Sequence, residues 1–143
     1  RPSQQQRSET PDLRALAPGT RVLVAEDNPA HVAVIRGLLQ MRGIDPIVAR
    51  SGPEAVTLVR RANPQLVLMD IQIPGCDGFE ALAQIRTDAS HATLPVVAMT
   101  ASASEEDRAR SLEAGFDGFL SKPIDSDKLD DQLQRFMPPT AEA

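Results

Sequence analysis

Glu26 and Asp27 close the apolar run Val22-Leu23-Val24-Ala25, and Asp70 closes Leu66-Val67-Leu68-Met69. Thr100 follows Val96-Val97-Ala98-Met99, and Ser121-Lys122-Pro123 follows Phe119-Leu120. If these runs are parallel strands of one open sheet, the residues at their carboxyl ends share a rim, which is where such sheets carry their sites. Three carboxylates, one hydroxyl and one ammonium then converge. At ~5 Å separation and an effective dielectric of ~20, each pair of carboxylates costs on the order of 3 kcal/mol. Three such pairs rival the ~5–15 kcal/mol stability of a whole domain, and a single lysine offsets only part of that. A divalent cation balances the remainder, and a donor set of hard oxygens, without His or Cys, favours Mg²⁺ over zinc. In such a site Asp70 can attack phosphorus and form an acyl phosphate. Mg²⁺ neutralises one equatorial oxygen, Lys122 a second, and the Thr100 hydroxyl donates to a third. An ionised carboxylate has no proton to lose, so no separate general base is required.

The elements that would position these groups follow from the same runs. Each is too short for a helix, rich in Val, Ile and Leu, and without the alternation of a half-exposed strand, as expected for strands buried on both faces of a parallel sheet. Ile47-Val48-Ala49 is a fifth run, and Pro46 before it points to an edge strand, since proline cannot donate to a ladder. Between the runs lie apolar stripes at helical spacing: Val32, Ile35, Leu39; then Ala55, Leu58, Val59, Ala62; then Phe79, Leu82, Ile85; then Ala109, Leu112, Phe116; then Leu129, Leu133, Phe136. Asn28-Pro29 offers a cap and a proline at the first helical position. Ser51 with Glu54 and Ser104 with Asp107 have capping-box spacing, and Glu105, Glu106 and Asp107 place negative charge where the helix dipole favours it. The pattern is (βα)₅: an α/β fold with a doubly wound, five-stranded parallel sheet in the flavodoxin-like order 2-1-3-4-5, which leaves the proline-bearing strand at the edge. It spans residues 20–137. Residues 1–19 read as a polar, proline-punctuated linker and 138–143 as a C-terminal tail.

Composition narrows the functions. The chain has 143 residues, 41% of them hydrophobic, and eight Gly, within the globular range. It has one cysteine, so neither an internal disulfide nor a multi-cysteine metal cage can form. A net charge of −5 is a poor start for gripping a phosphate backbone, and Arg60-Arg61 is too short a basic run to change that. No apolar run approaches the ~18–20 residues that cross a bilayer, and no signal peptide is visible. The expectation is therefore a cytoplasmic domain, monomeric or weakly dimeric, without nucleic-acid or direct membrane contact, whose parent chain could itself be membrane-tethered. The opening residue is Arg rather than Met, which reads as a piece of a longer chain. His31, on the first helix, and His91, in a loop, read as surface histidines; Asp77-Gly78 reads as a turn, and Cys76 as an inert side chain beside it. Phe79, Phe116 and Phe136 read as core by their spacing.

The stretches VLVAEDN, LVLMDIQIPGCDGFE, VVAMTA and FLSKPI, in this order and spacing, resemble a two-component response-regulator receiver domain over about Arg21 to Phe136. The resemblance implies that Asp70 is the phosphoacceptor and that Asp27, Asp70 and the backbone carbonyl of Gln72 ligate Mg²⁺, with Glu26 acting through water. It also implies that Lys122 and Thr100 hold the phosphoryl group, that Lys122-Pro123 is a cis peptide, and that Thr100 and Phe119 form a switch on the face of the fourth and fifth helices. Ile73 and Cys76 stand where the family often has Met, and Phe119 where it often has Tyr, so a swinging ring would lack a hydroxyl to bond. Gln72 and Ser102 flank the site and could tune hydrolysis. The wording AEDNPAHVAVIRGLLQMRG looks most like receivers of hybrid sensor histidine kinases. That implies a phosphohistidine donor, in the same chain or another, and a histidine phosphotransfer domain as next acceptor. The alternatives are a stand-alone single-domain response regulator and a degenerate receiver kept as a scaffold. An aspartyl-phosphate phosphatase of the haloacid-dehalogenase type needs a second Asp two positions after its nucleophile, where this chain has Gln72. A flavin carrier on this fold is disfavoured because Glu26-Asp27 would repel its phosphate and there is no Trp or Tyr to stack the ring.

Overall fold

The computed structural model describes residues 21–75, 77–101 and 104–136. The linker and tail assignments, and the readings of Cys76 and Ser102, lie outside the described residues. Five strands, β1 (Val22–Ala25), β2 (Ile47–Ala49), β3 (Leu66–Asp70), β4 (Val96–Thr100) and β5 (Gly118–Ser121), alternate with five helices. The helices are α1 (Pro29–Gln40), α2 (Gly52–Ala62), α3 (Gly78–Thr87), α4 (Glu105–Ala114) and α5 (Ser126–Phe136). All strand pairs are parallel, in the order β2-β1-β3-β4-β5. Thus the proline-preceded strand does form an edge, and the runs at β1, β3 and β4 are buried along their whole length. No described helix is long and apolar enough to cross a membrane.

Strand alternation splits the core into two layers. Val22, Val24, Leu68, Met99 and Leu120 meet Ile35 and Leu39 of α1 and Leu129 and Leu133 of α5. Leu23, Ala25, Val67, Met69 and Ala98 meet Ala55, Val56 and Val59 of α2, Leu82 and Ile85 of α3, and Phe116. Burying one such Leu, Ile or Val contributes about 1.5–3 kcal/mol, whereas an N-cap contributes about 1. Packing therefore decides that the helices exist, and caps decide where they start. Asn28 Oδ1 accepts from the N–H groups of Ala30 and His31, Ser51 Oγ from Glu54 N–H, and Ser104 Oγ from Asp107 N–H.

Four readings need correction. Asp77 is not a turn residue but the N-cap of α3, in a reciprocal capping box with Glu80. Ala109 and Leu112 of α4 face solvent, and the buried residue of that helix is Ser111, because so polar a helix offers no continuous apolar stripe to turn inward. Phe79 and Phe136 are only half-buried, whereas Phe116 is in the core. His91 is buried, with Nε2 2.9 Å from Asn63 Oδ1 and Nδ1 3.2 Å from Asp88 Oδ2, so it ties the end of α2 to the turn after α3. A second polar tie joins α1 to α5. The Arg42 guanidinium donates from Nε to Asp130 Oδ1 (2.7 Å), from Nη2 to Ser126 Oγ (2.7 Å), and from Nη1 to the carbonyl of Leu38.

Candidate functional site

Single backbone hydrogen bonds carry the strand ladders past their ends and set the rim. Glu26 N–H donates to Ala49 O (2.9 Å), Ile71 N–H to Met99 O (3.1 Å), and Lys122 N–H to Thr100 O (2.7 Å). Asp70 and Thr100 are the last residues of β3 and β4, one step inside the positions their apolar runs suggest. The loop after Asp70 is pinned from two sides: Gly52 N–H donates to Pro74 O, and Gly78 N–H to Ile71 O. Gly78 is required there, because a Cβ would lie 2.6 Å from Ile71 Cα and 3.0 Å from Asp70 O.

The rim gathers Glu26, Asp27, Asp70 and Lys122. Each carboxylate offers an oxygen to a common point, with the three oxygens within 4.8 Å of one another. Glu26 and Asp70 are buried, 1% and 6% exposed, while Asp27 is exposed. Lys122 Nζ donates to Glu26 Oε1 at 2.5 Å and to Asp70 Oδ2 at 3.0 Å. The ammonium meets both carboxylates because Glu26 and Asp70 continue the strand alternation onto the α1/α5 layer from which Lys122 arrives. Asp70 Oδ1 accepts from Gln72 N–H (2.9 Å), and Glu26 Oε2 from Asn28 N–H (3.1 Å).

Burial disfavours the charged form of Lys122, but the hydrogen bonds and charges of Glu26 and Asp70 outweigh it and hold its pKa above the ordinary lysine value. A folded pKa above the unfolded one gives stability that is complete below pH 10.5 and lost as pH rises through the raised value. In EDTA, urea unfolding across about pH 9 to 12 is expected to show this alkaline loss in the wild type and not in Lys122→Met. Equal slopes for the two proteins would contradict the pairing.

Thr100 comes from the other side. It alternates with Met99 and so shares a face with Ala98, on the layer of α2 and α3, beside a cavity of about 340 Å³ that Gln72, Phe79 and Arg110 also line. Phe119 pairs with Ala98 in register and is half-buried at the edge strand. The Lys122–Pro123 peptide is cis.

One residue that the sequence reading left on the surface belongs to the rim. His31 Nδ1 is 3.0 Å from Lys122 Nζ and 3.6 Å from Glu26 Oε2. The signal was available in part: with Asn28 as cap and Pro29 as first helical residue, position 31 falls in the first turn of α1, next to the end of β1. What could not be read was that β5 ends close enough for Lys122 to reach it.

The family model for the response regulator receiver domain matches residues 22–134. The chain is 38% identical over 122 residues to the sensor protein GacS of Pseudomonas syringae pv. syringae, covering 83% of this chain and 13% of GacS. It is 34% identical over 116 residues to the polar-differentiation response regulator DivK of Brucella ovis, covering 81% of this chain and 94% of DivK. Among solved structures, the receiver domain of sensor histidine kinase PA1611 from Pseudomonas aeruginosa PAO1 has a magnesium ion coordinated in its active site cleft. It matches with a TM-score of 0.76 at 34% identity, over 82% of this chain and 97% of that one.

Proposed function

Because the chain belongs to the response regulator receiver domain family of two-component systems, we propose that it is a Mg²⁺-dependent phosphoacceptor that takes a phosphoryl group from a phosphohistidine onto Asp70. The observation that carries this reading is Lys122 Nζ lying 3.0 Å from Asp70 Oδ2, with oxygens of Glu26 and Asp27 at hand to complete a cation site. The donor set fits a hard divalent ion: Asp27, Asp70 and the Gln72 carbonyl would hold it directly and Glu26 through water. When bound, Mg²⁺ supplies positive charge to the carboxylates and to one phosphoryl oxygen.

The chain's own residues do the rest. An Asp70 carboxylate oxygen forms a bond to phosphorus as the phosphorus–nitrogen bond of the donor breaks, and the bonding pair leaves with the imidazole nitrogen. Asp70 becomes an acyl phosphate, and a donor imidazole already protonated at its other ring nitrogen leaves as a neutral histidine. Lys122 stabilises a phosphoryl oxygen from the α1/α5 layer, and the Thr100 hydroxyl donates to another from the opposite layer. Drawing Thr100 inward would repack Phe119 and the face of α4, β5 and α5. The matches to part of GacS and to the PA1611 receiver support a sensor kinase as the parent chain; in a hybrid kinase of that kind the domain would lie on the cytoplasmic side and pass the group to a histidine phosphotransfer domain. The near-complete coverage of DivK favours a second reading, a short stand-alone regulator.

Incubation with acetyl phosphate and Mg²⁺ is expected to add a single, hydroxylamine-labile phosphoryl group by intact mass, and EDTA to prevent it. Beryllofluoride is expected to shift the NMR signals of Thr100 and Phe119, and an unchanged spectrum there would refute the switch. Mg²⁺ also relieves repulsion worth on the order of 3 kcal/mol per carboxylate pair. Millimolar Mg²⁺ is therefore expected to raise the melting temperature of the wild type and to do so far less in Asp27→Ala. Equal stabilisation of both proteins would remove Asp27 from the cation site.

A further inference from the structure

The imidazole of His31 has no part in the chemistry above, yet its Nδ1 lies 3.0 Å from the ammonium that would grip the phosphoryl group. An ammonium carries three N–H donors and no acceptor. On Lys122 one goes to Glu26 Oε1, one to Asp70 Oδ2 and the third to His31 Nδ1, so the ammonium is anchored on three sides. Facing a cation, Nδ1 can only present its lone pair, which puts the ring proton on Nε2. The backbone of His31 is itself held, because Asn28 Oδ1 accepts from His31 N–H and fixes the first turn of α1.

From this geometry we infer that His31 is a positioning residue for phosphoryl transfer, acting through its Nδ1 acceptor to orient the Lys122 ammonium towards Asp70. The inference rests on the phosphoacceptor reading. Its physical content lies in what happens when Asp70 becomes an acyl phosphate. The carboxylate charge that held one N–H is then spread over the phosphoryl group, and the ammonium must turn towards a new oxygen. Without a third anchor it swings to Glu26, its nearest and fully buried partner, and away from phosphorus. His31 restrains that swing. Because the imidazole is 45% exposed, water replaces a lost acceptor easily but does not fix a direction.

The side-chain isosteres separate this role from a merely structural one. The Asn Oδ1 is attached at Cγ, as Nδ1 is, so His31→Asn keeps the acceptor in place. In His31→Gln the amide reproduces the Nε2 side instead, and His31→Leu has no acceptor. With acetyl phosphate and Mg²⁺, His31→Leu and His31→Gln are expected to lower the maximal rate of Asp70 phosphorylation about fivefold. His31→Asn is expected to stay within about twofold of the wild type. Half-saturation by acetyl phosphate and the melting temperature stay level across the series, since the exposed ring contributes direction rather than stability. His31→Leu matching the wild type, or His31→Asn slowed as much as His31→Leu, overturns the inference while leaving the phosphoacceptor reading intact. A wild type that takes up no phosphoryl group overturns both.

Discussion

Asp70→Asn is expected to take up no phosphoryl group under conditions where the wild type gains one, a loss of at least ~10³-fold in rate. An amide oxygen lacks the charge and basicity to displace the donor nitrogen, and an acyl phosphate can form only on a carboxylate. Neighbouring carboxylates do not substitute. Glu26 is 1% exposed, with Oε1 bonded to Lys122 and Oε2 to Asn28 N–H, and in the proposed site it reaches the cation only through water. Asp27 is exposed and lacks the Lys122 contact that Asp70 makes. Intact-mass analysis after acetyl phosphate treatment, read beside circular dichroism to establish folding, makes the measurement. An adduct of wild-type yield in Asp70→Asn would remove the assignment.

Arg42→Met is expected to cost about 2–4 kcal/mol of stability without touching the site. The methionine retains much of the volume but none of the donors. Asp130, the Leu38 carbonyl and Ser126 lose their partner where the arginine side chain is only 1% exposed. Asp130 is itself 31% exposed, so water recovers part of the loss and the figure stays below that of a fully buried broken pair. Urea unfolding at pH 7 reads the effect, and a change under about 0.5 kcal/mol, the scale of ordinary surface substitutions, would show the tie to be incidental. Phosphoryl uptake by the folded fraction should match the wild type, which separates this tie from the contacts of Lys122.

Much of this molecule was legible before any coordinates. Runs of Val, Ile and Leu without alternation can serve only a sheet covered on both faces, and Pro46 marked its edge, so topology and rim followed together. Caps of known chemistry at Asn28, Ser51 and Ser104 set helix phase to within a residue. The failures share a cause. Ala109 and Leu112 have helical spacing, but spacing does not say which face a nearly polar helix turns inward. The burial of His91 depends on Asn63 and Asp88, which the chain brings together from separate elements, and no local pattern encodes that meeting. Likewise the second carboxylate of Lys122, and His31 beside it, are properties of how α1 and the end of β5 converge in space.

Thr100 and Lys122 lean on the rim from opposite layers, yet the N–H of one is bonded to the carbonyl of the other at 2.7 Å. A phosphoryl group on Asp70 would therefore act as a clasp, fastening two leaves of the molecule at their common spine. Its departure would loosen both leaves together, so the lifetime of one chemical bond would become the timer for the stiffness of the whole domain.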